Sequence, residues 1–226
     1  MNTTDSPLLD AAQRLHDIHN RMSKAARLAS RKPEETRLIT VSKTFGPEDI
    51  EPLLQAGQRL FGENRVQEAQ GKWPALKEKH PDVELHLVGQ LQSNKAEDAV
   101  RLFNVIHSVD RSSLAKALAK AMEKTGQRPD CFIQVNIGEE EQKGGVSIDA
   151  LPALLTETET LGLPIIGLMC VPPVEKDPAP YFALLSKLAK RHNLPRLSMG
   201  MSSDFETAIK LGATEIRVGT ALFGAR

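Results

Sequence analysis

Eight short apolar runs, each followed by a segment of helical spacing, limit this chain to very few folds. The first four are "RLITVSK" (37–43), "RLFGE" (59–63), "ELHLVG" (84–89) and "FNVIHSV" (103–109). The others are "CFIQVNI" (131–137), "PIIGLMCV" (164–171), "RLSMG" (196–200) and "EIRVG" (215–219). Between them, "SLAKALAKAMEKTG" sets Leu114, Ala117, Leu118 and Met122 on one face and closes on Gly126. "YFALLSKLAKRHN" aligns Tyr181, Leu184, Leu185 and Leu188, while "SDFETAIKLG" starts on a Ser/Asp cap and stops at Gly212. Pro47 opens a further helix that ends at Gly57.

Strict alternation of strand and helix argues for a parallel sheet. Eight units in 226 residues favour a single closed (β/α)8 TIM barrel of the α/β class over an open doubly wound sheet. The open sheet stays as the alternative, because strand order alone does not join the eighth strand to the first. An extra N-terminal helix near residues 7–30 is expected to pack outside the barrel or across its floor. The expected organisation is one domain over 1–226, with a helical extension at 1–36 and the barrel at 37–226.

Charge excludes some functions. The 29 basic and 29 acidic residues cancel, so no global field draws the chain to nucleic acid or to an anionic membrane. No apolar run approaches the ~20 residues of a membrane-spanning helix. Cys131 and Cys170 both sit in apolar runs and, without a signal peptide, read as buried reduced thiols of a cytoplasmic protein. The six histidines and two cysteines show no metal-ligand spacing.

In a barrel, chemistry belongs at the C-terminal ends of the strands. The first strand delivers Lys43 there, with Ile39 and Val41 on the same face. A lysine loses hydration near a core, so Lys43 marks either a strand surfacing or an amine held at a pocket mouth. The second strand delivers Glu63 and Asn64, and the third carries His86, which reads as a satisfied barrel histidine or a ligand neighbour. The seventh ends in "SMGMS", where Met199 is a candidate contact and Gly200, Ser202 and Ser203 form a small, N–H-rich loop. The eighth delivers Arg217, Gly219 and Thr220. Loops after strands seven and eight of barrels frequently cradle phosphate. Arg217, between Ile216 and Val218, faces opposite to them and needs an acceptor. An amine for an aldehyde, an arginine and a phosphate cradle together suggest pyridoxal 5′-phosphate (PLP). A protonated arginine at the pyridine nitrogen leaves that nitrogen a neutral acceptor and weakens the cofactor as an electron sink.

At these residues the chain resembles the pyridoxal-phosphate homeostasis protein family, also called the PROSC or PLP-binding-protein family. The resemblance spans nearly the whole chain: "VSKTF", "FGENRVQEA", "HLVGQLQSNK", "SVDR", "GLMCVPP", "LSMGMSSDFETAI" and "GATEIRVGTALFGAR" occur in order. It implies a barrel like the N-terminal domain of alanine racemase, the type III PLP fold, with Lys43 as the Schiff-base lysine. It also implies phosphate contacts from Ser202, Gly219 and Thr220, Arg217 near the pyridine nitrogen and Asn64 near the cofactor. Gln90 and "EEEQKGG" (139–145) depart from the family pattern, away from these contacts.

The expected function is PLP homeostasis: holding PLP on Lys43 and delivering it to apo-enzymes, without robust turnover. A racemase of this fold adds a second domain whose tyrosine is the second base, and this chain ends at Arg226. Its one tyrosine, Tyr181, reads as core packing. The alternative is a racemase-like PLP enzyme acting on an unknown amino acid, with Lys43 as base. Without the racemase's second domain a monomer is expected.

Overall fold

The computed structural model describes residues 7–223, and the ends of the expected domain, 1–6 and 224–226, lie outside the described residues. Eight strands alternate with helices, as the spacing of apolar residues requires. The strands are β1 (Arg37–Val41), β2 (Leu60–Glu63), β3 (Glu84–Leu87), β4 (Val105–Val109), β5 (Asp130–Gln134), β6 (Ile165–Met169), β7 (Arg196–Ser198) and β8 (Glu215–Val218). An extra helix, α1 (Pro7–Leu28), precedes them. The connecting helices are α2 (Pro47–Gln55), α3 (Val66–Lys79), α4 (Ala96–Leu102), α5 (Ser112–Thr125), α6 (Leu151–Thr160), α7 (Ala179–Arg191) and α8 (Phe205–Lys210). A last turn, α9 (Thr220–Phe223), follows β8.

All neighbouring strands pair in parallel, and β8 returns to β1, so the sheet is a closed barrel in sequence order. The closing seam is registered over four pairs, from Arg37 opposite Glu215 to Thr40 opposite Val218. That register removes the open sheet as an alternative. The first helix packs outside the barrel, against α2, α8 and α9, rather than across its floor. Its apolar stripe of Leu15, Ile18, Met22 and Ala26 drives that docking, and Arg21 pairs with Glu206 at 3.0 Å beside it.

Period-two alternation divides every strand between two environments. Leu38, Phe61, Leu85, Ile106, Ile133, Leu197 and Ile216 enter the main core between sheet and helices. The opposite face encloses a small apolar cluster of Val105, Phe132 and Met169, with Ile39 also buried there. Around it stand polar groups: Arg37, Glu84, Arg196 and Glu215 pair with one another at the floor. His86, His107, Ser198 and Arg217 occupy the level above. Cys131 and Cys170 are free and buried, and burial pushes both thiols up to about 12.

Two helix readings shift. The buried stripe of α7 centres on Phe182, Leu185, Leu188 and Ala189, with Tyr181 and Leu184 only partly covered. Asp204 occupies the N-cap position of α8 but its side chain makes no cap bond; its carboxylate accepts from the Met201 N–H at 2.6 Å and shapes the preceding loop instead. Gly126 closes α5 in the left-handed conformation at φ 71°, as its position predicts.

Trp73, the single tryptophan, is fully buried on α3, tilts against Phe61 at 5.1 Å and donates its indole N–H to Glu63 at 2.9 Å. Trp73→Ala is expected to lose about 3–5 kcal/mol through the cavity it leaves, measured as a lower urea midpoint by circular dichroism.

Candidate functional site

A cavity of about 720 Å³ opens at the C-terminal ends of the strands, a size suited to a small ligand. Lys43, Asn64, Ser202, Arg217, Gly219 and Thr220 all line it. Val41, Val88, Val171 and Met201 add its apolar walls.

Lys43 follows β1 by two residues and is exposed at the cavity, so the strand has ended before the lysine. The loop that presents it is strongly held. Thr44 takes a left-handed backbone at φ 67°, a conformation costly for a β-branched residue. Lys72 of α3, only 7% exposed, donates to the carbonyls of Ser42 at 2.8 Å and Phe45 at 3.0 Å, and pairs with Glu63 at 2.8 Å and Glu68 at 3.0 Å. Glu68 in turn accepts from the Thr44 N–H. Ser42 donates its hydroxyl to Glu63 at 2.6 Å. Glu63 therefore faces α3 and the underside of the Lys43 loop, away from the cavity.

Arg217 is 6% exposed. It donates to Ser198 Oγ at 2.6 Å and to the Cys170 carbonyl at 2.9 Å, and no carboxylate of the described residues lies within ion-pair reach. A guanidinium carries five N–H donors, so donors remain for a group in the cavity. Burial lowers its pKa from the usual arginine range, the direction expected of a cation without a nearby counter-ion.

The loops after β7 and β8 complete the wall. Gly200 turns the chain at φ 94°, and a Cβ there would meet the Ala208 Cβ at 2.5 Å. A Cβ on Gly219 would stand 3.0 Å from the Val41 carbonyl, so the eighth strand passes close to the first at the cavity edge. Asn64 is placed by another close approach, since a Cβ on Gly89 would meet its carbonyl at 2.2 Å.

Two expected contacts are corrected. Met199 is fully buried in the core between barrel and helices, because β7 ends at Ser198 and Gly200 turns the chain; Met201 takes the place on the cavity wall. His86 lies inside the barrel one level down, outside the cavity lining, with Nδ1 2.9 Å from His107 Nε2. It stands inside the barrel, as one of the two readings has it, but only its Nδ1 is hydrogen-bonded; its buried Nε2 has no aligned partner. Lys72, His107 and Ser198 escaped the sequence reading; only interior-facing alternation on β4 and β7 hinted at the last two. Gln90 and the 139–145 loop, separate in sequence, meet: Gln90 donates to Gln134 at 2.6 Å, and Gln134 to the Gly144 carbonyl at 3.1 Å.

These residues fit PLP. An exposed amine, a buried arginine lacking a carboxylate and two small hydroxyl-bearing loops share one cavity, the donor set that an aldehyde, a ring nitrogen and a phosphate need.

Lys72→Met is expected to cost about 3–5 kcal/mol, because it strands the buried Glu63 carboxylate, read as a lower urea midpoint. A second expectation concerns pH. Burial lowers the pKa of His86 and takes that of His107 well below 6.5. The unfolded chain therefore binds more protons below that value, so these groups contribute stability above about pH 6.5 that is lost as pH falls. Glu215, raised by burial, acts in the opposite sense. Comparing urea midpoints of wild type and His107→Gln between about pH 7.5 and 5.5 isolates the histidine: the variant should show the shallower acid loss.

The family model described as alanine racemase, N-terminal domain, matches residues 14–226. The pyridoxal phosphate homeostasis protein of Aquifex aeolicus is 41% identical over 96% of this chain and 99% of its own length. That of Escherichia coli K12 is 36% identical over 96% and 97%. The solved structure of PipY from Synechococcus elongatus with PLP bound superposes with a TM-score of 0.80 at 39% identity, covering 95% of this chain and all of PipY. The alanine racemase of Clostridium difficile, 12% identical with a TM-score of 0.70, shares the fold, with this chain spanning 57% of it. By full-length likeness and by fold, the chain belongs to the pyridoxal phosphate homeostasis protein family.

Proposed function

We propose that this chain binds PLP as a Schiff base on Lys43, holds it as a non-catalytic carrier in intracellular PLP homeostasis, and passes it to apo-enzymes. The observation that carries the reading is the meeting of Lys43 and the buried, carboxylate-free Arg217 in one cavity. The names of the relatives and the PLP-bound PipY structure support it. Residues 37–223 with the preceding helix act as one cofactor-holding unit, as a monomer. The free, buried thiols accord with a cytoplasmic setting, and no helix among the described residues is long and apolar enough to cross a membrane.

PLP, when bound, supplies an aldehyde for an amine and a ring that withdraws electrons. Lys43 takes the aldehyde, since its amine stands exposed at the cavity. The hydroxyls of Ser202 and Thr220 and the backbone at Gly219 take the phosphate. Arg217 donates to the ring nitrogen and, staying protonated, leaves that nitrogen without a proton of its own. Among the lining residues only Lys43 and Arg217 are ionisable. Tyr181 packs against the core from α7, and Glu63 and His86 face other partners. A proton leaving a substrate carbon would thus have Lys43 alone to receive it, which favours holding over turnover.

Mixing the purified protein with PLP is expected to give a visible absorption band that Lys43→Ala abolishes, with negligible deuterium exchange at the Cα of any amino acid screened. Sustained Lys43-dependent exchange would overturn the carrier reading in favour of a racemase-like enzyme.

A further inference from the structure

A chain of polar side chains crosses the barrel interior beneath the cavity and reaches its floor. From Arg217 on β8 it passes to Ser198 Oγ on β7 at 2.6 Å, and from there to His107 Nδ1 on β4 at 2.9 Å. His107 Nε2 lies 2.9 Å from His86 Nδ1 on β3. His86 Nε2 stands 3.1 Å from Glu84 Oε1, close enough for the carboxylate to select its tautomer though poorly aligned for a hydrogen bond. Arg37 anchors Glu84 at 3.1 Å through both carboxylate oxygens, and bonds Glu215 at 3.2 Å. Phe132 stacks on His107 at 4.5 Å and shields it.

Donor counting gives this chain a single direction. At the floor, a carboxylate only accepts, so His86 carries its proton on Nε2 and its Nδ1 is an acceptor. His107 must then donate from Nε2, which leaves its own Nδ1 an acceptor. Ser198 supplies that proton, and its oxygen remains open to the N–H of Arg217. Arg217, which has no acceptor atom, is compatible with that order, since its N–H meets a lone pair of the serine oxygen. Burial favours the neutral form of both rings, and each neutral ring then holds a single tautomer.

We infer that Ser198, His107, His86 and Glu84 are positioning residues for Arg217: they fix the pose of its guanidinium so that its remaining N–H groups point at one acceptor in the cavity. The inference rests on the PLP reading only in naming that acceptor a ring nitrogen. With the Cys170 carbonyl, Ser198 ties two of the five donors, and a serine hydroxyl that donates to His107 keeps its lone pairs turned toward Arg217.

Two measurements test it. Imidazole ¹⁵N spectra of the ligand-free protein should show His86 and His107 as neutral Nε2–H tautomers between about pH 6 and 8. An Nδ1–H tautomer or a charged ring at either position would overturn the chain. In the PLP-loaded protein, Ser198→Ala should shift the visible band and its pH titration and raise the Kd for PLP about tenfold. Competition by inorganic phosphate should stay within about twofold, because the Ser202 and Thr220 loops are untouched. A Ser198→Ala protein with the wild-type spectrum and Kd would refute the positioning role. Wild type and Lys43→Ala run alongside: absence of a PLP band in wild type refutes the cofactor reading, and the imidazole spectra still decide the chain.

Discussion

The pairing of β8 with β1 is the constraint on which the rest of the molecule depends. In an open sheet of eight strands spaced ~4.8 Å apart, the first and last would stand about 34 Å from each other. Closure puts Ile39 opposite Arg217 and Thr40 opposite Val218, and brings Gly219 so near Val41 that a Cβ would stand 3.0 Å from its carbonyl. Lys43, two residues past the first strand, and Arg217, near the end of the last, thus line one cavity. Everything proposed about a ligand held by both follows from that seam.

The second theme is polarity where barrels usually place branched aliphatics. Val105, Phe132 and Met169 form a small apolar cluster inside the barrel and Ile39 lies buried on the same face, while charged and hydrogen-bonded groups take much of the remaining interior. Buried polar groups of this kind add little stability compared with a well-packed apolar core, yet removing one partner strands the other. The layer between sheet and helices supplies the hydrophobic burial, leaving the interior free to hold groups in fixed poses. Both candidate ligand-binding cations are mounted on such networks. Lys43 rides on a loop braced by Lys72, Glu63 and Glu68, and Arg217 on Ser198 and the two histidines.

Lys43 and Arg217 were legible in the sequence because each has the wrong polarity for its place in an apolar run. Gly219 and Thr220 were legible through their position on the last strand of an eight-unit pattern. Met199 shows where such reasoning ends. In an extended strand Met199 and Met201 share a face, and only the left-handed turn at Gly200 sends one into the core and the other into the cavity. His86 reads from the sequence as a barrel histidine or a ligand neighbour, and alternation says nothing about depth along the barrel axis, which separates the two. Lys72 could not be found at all. On an amphipathic helix it reads as a solvated side chain, and its burial depends on a loop that lies 27 to 30 residues earlier.

By itself, the sequence determined the alternation of strands and helices, the faces those strands present and the residue types available for an aldehyde, a ring nitrogen and a phosphate. Local spacing and polarity suffice for that, since both act over one strand or one helical turn. Tertiary structure alone decided that the barrel closes, that Met201 rather than Met199 lines the cavity, and that four strands link Arg217 to the floor. Those outcomes depend on register between strands distant in sequence and on single backbone turns, and no local pattern encodes either.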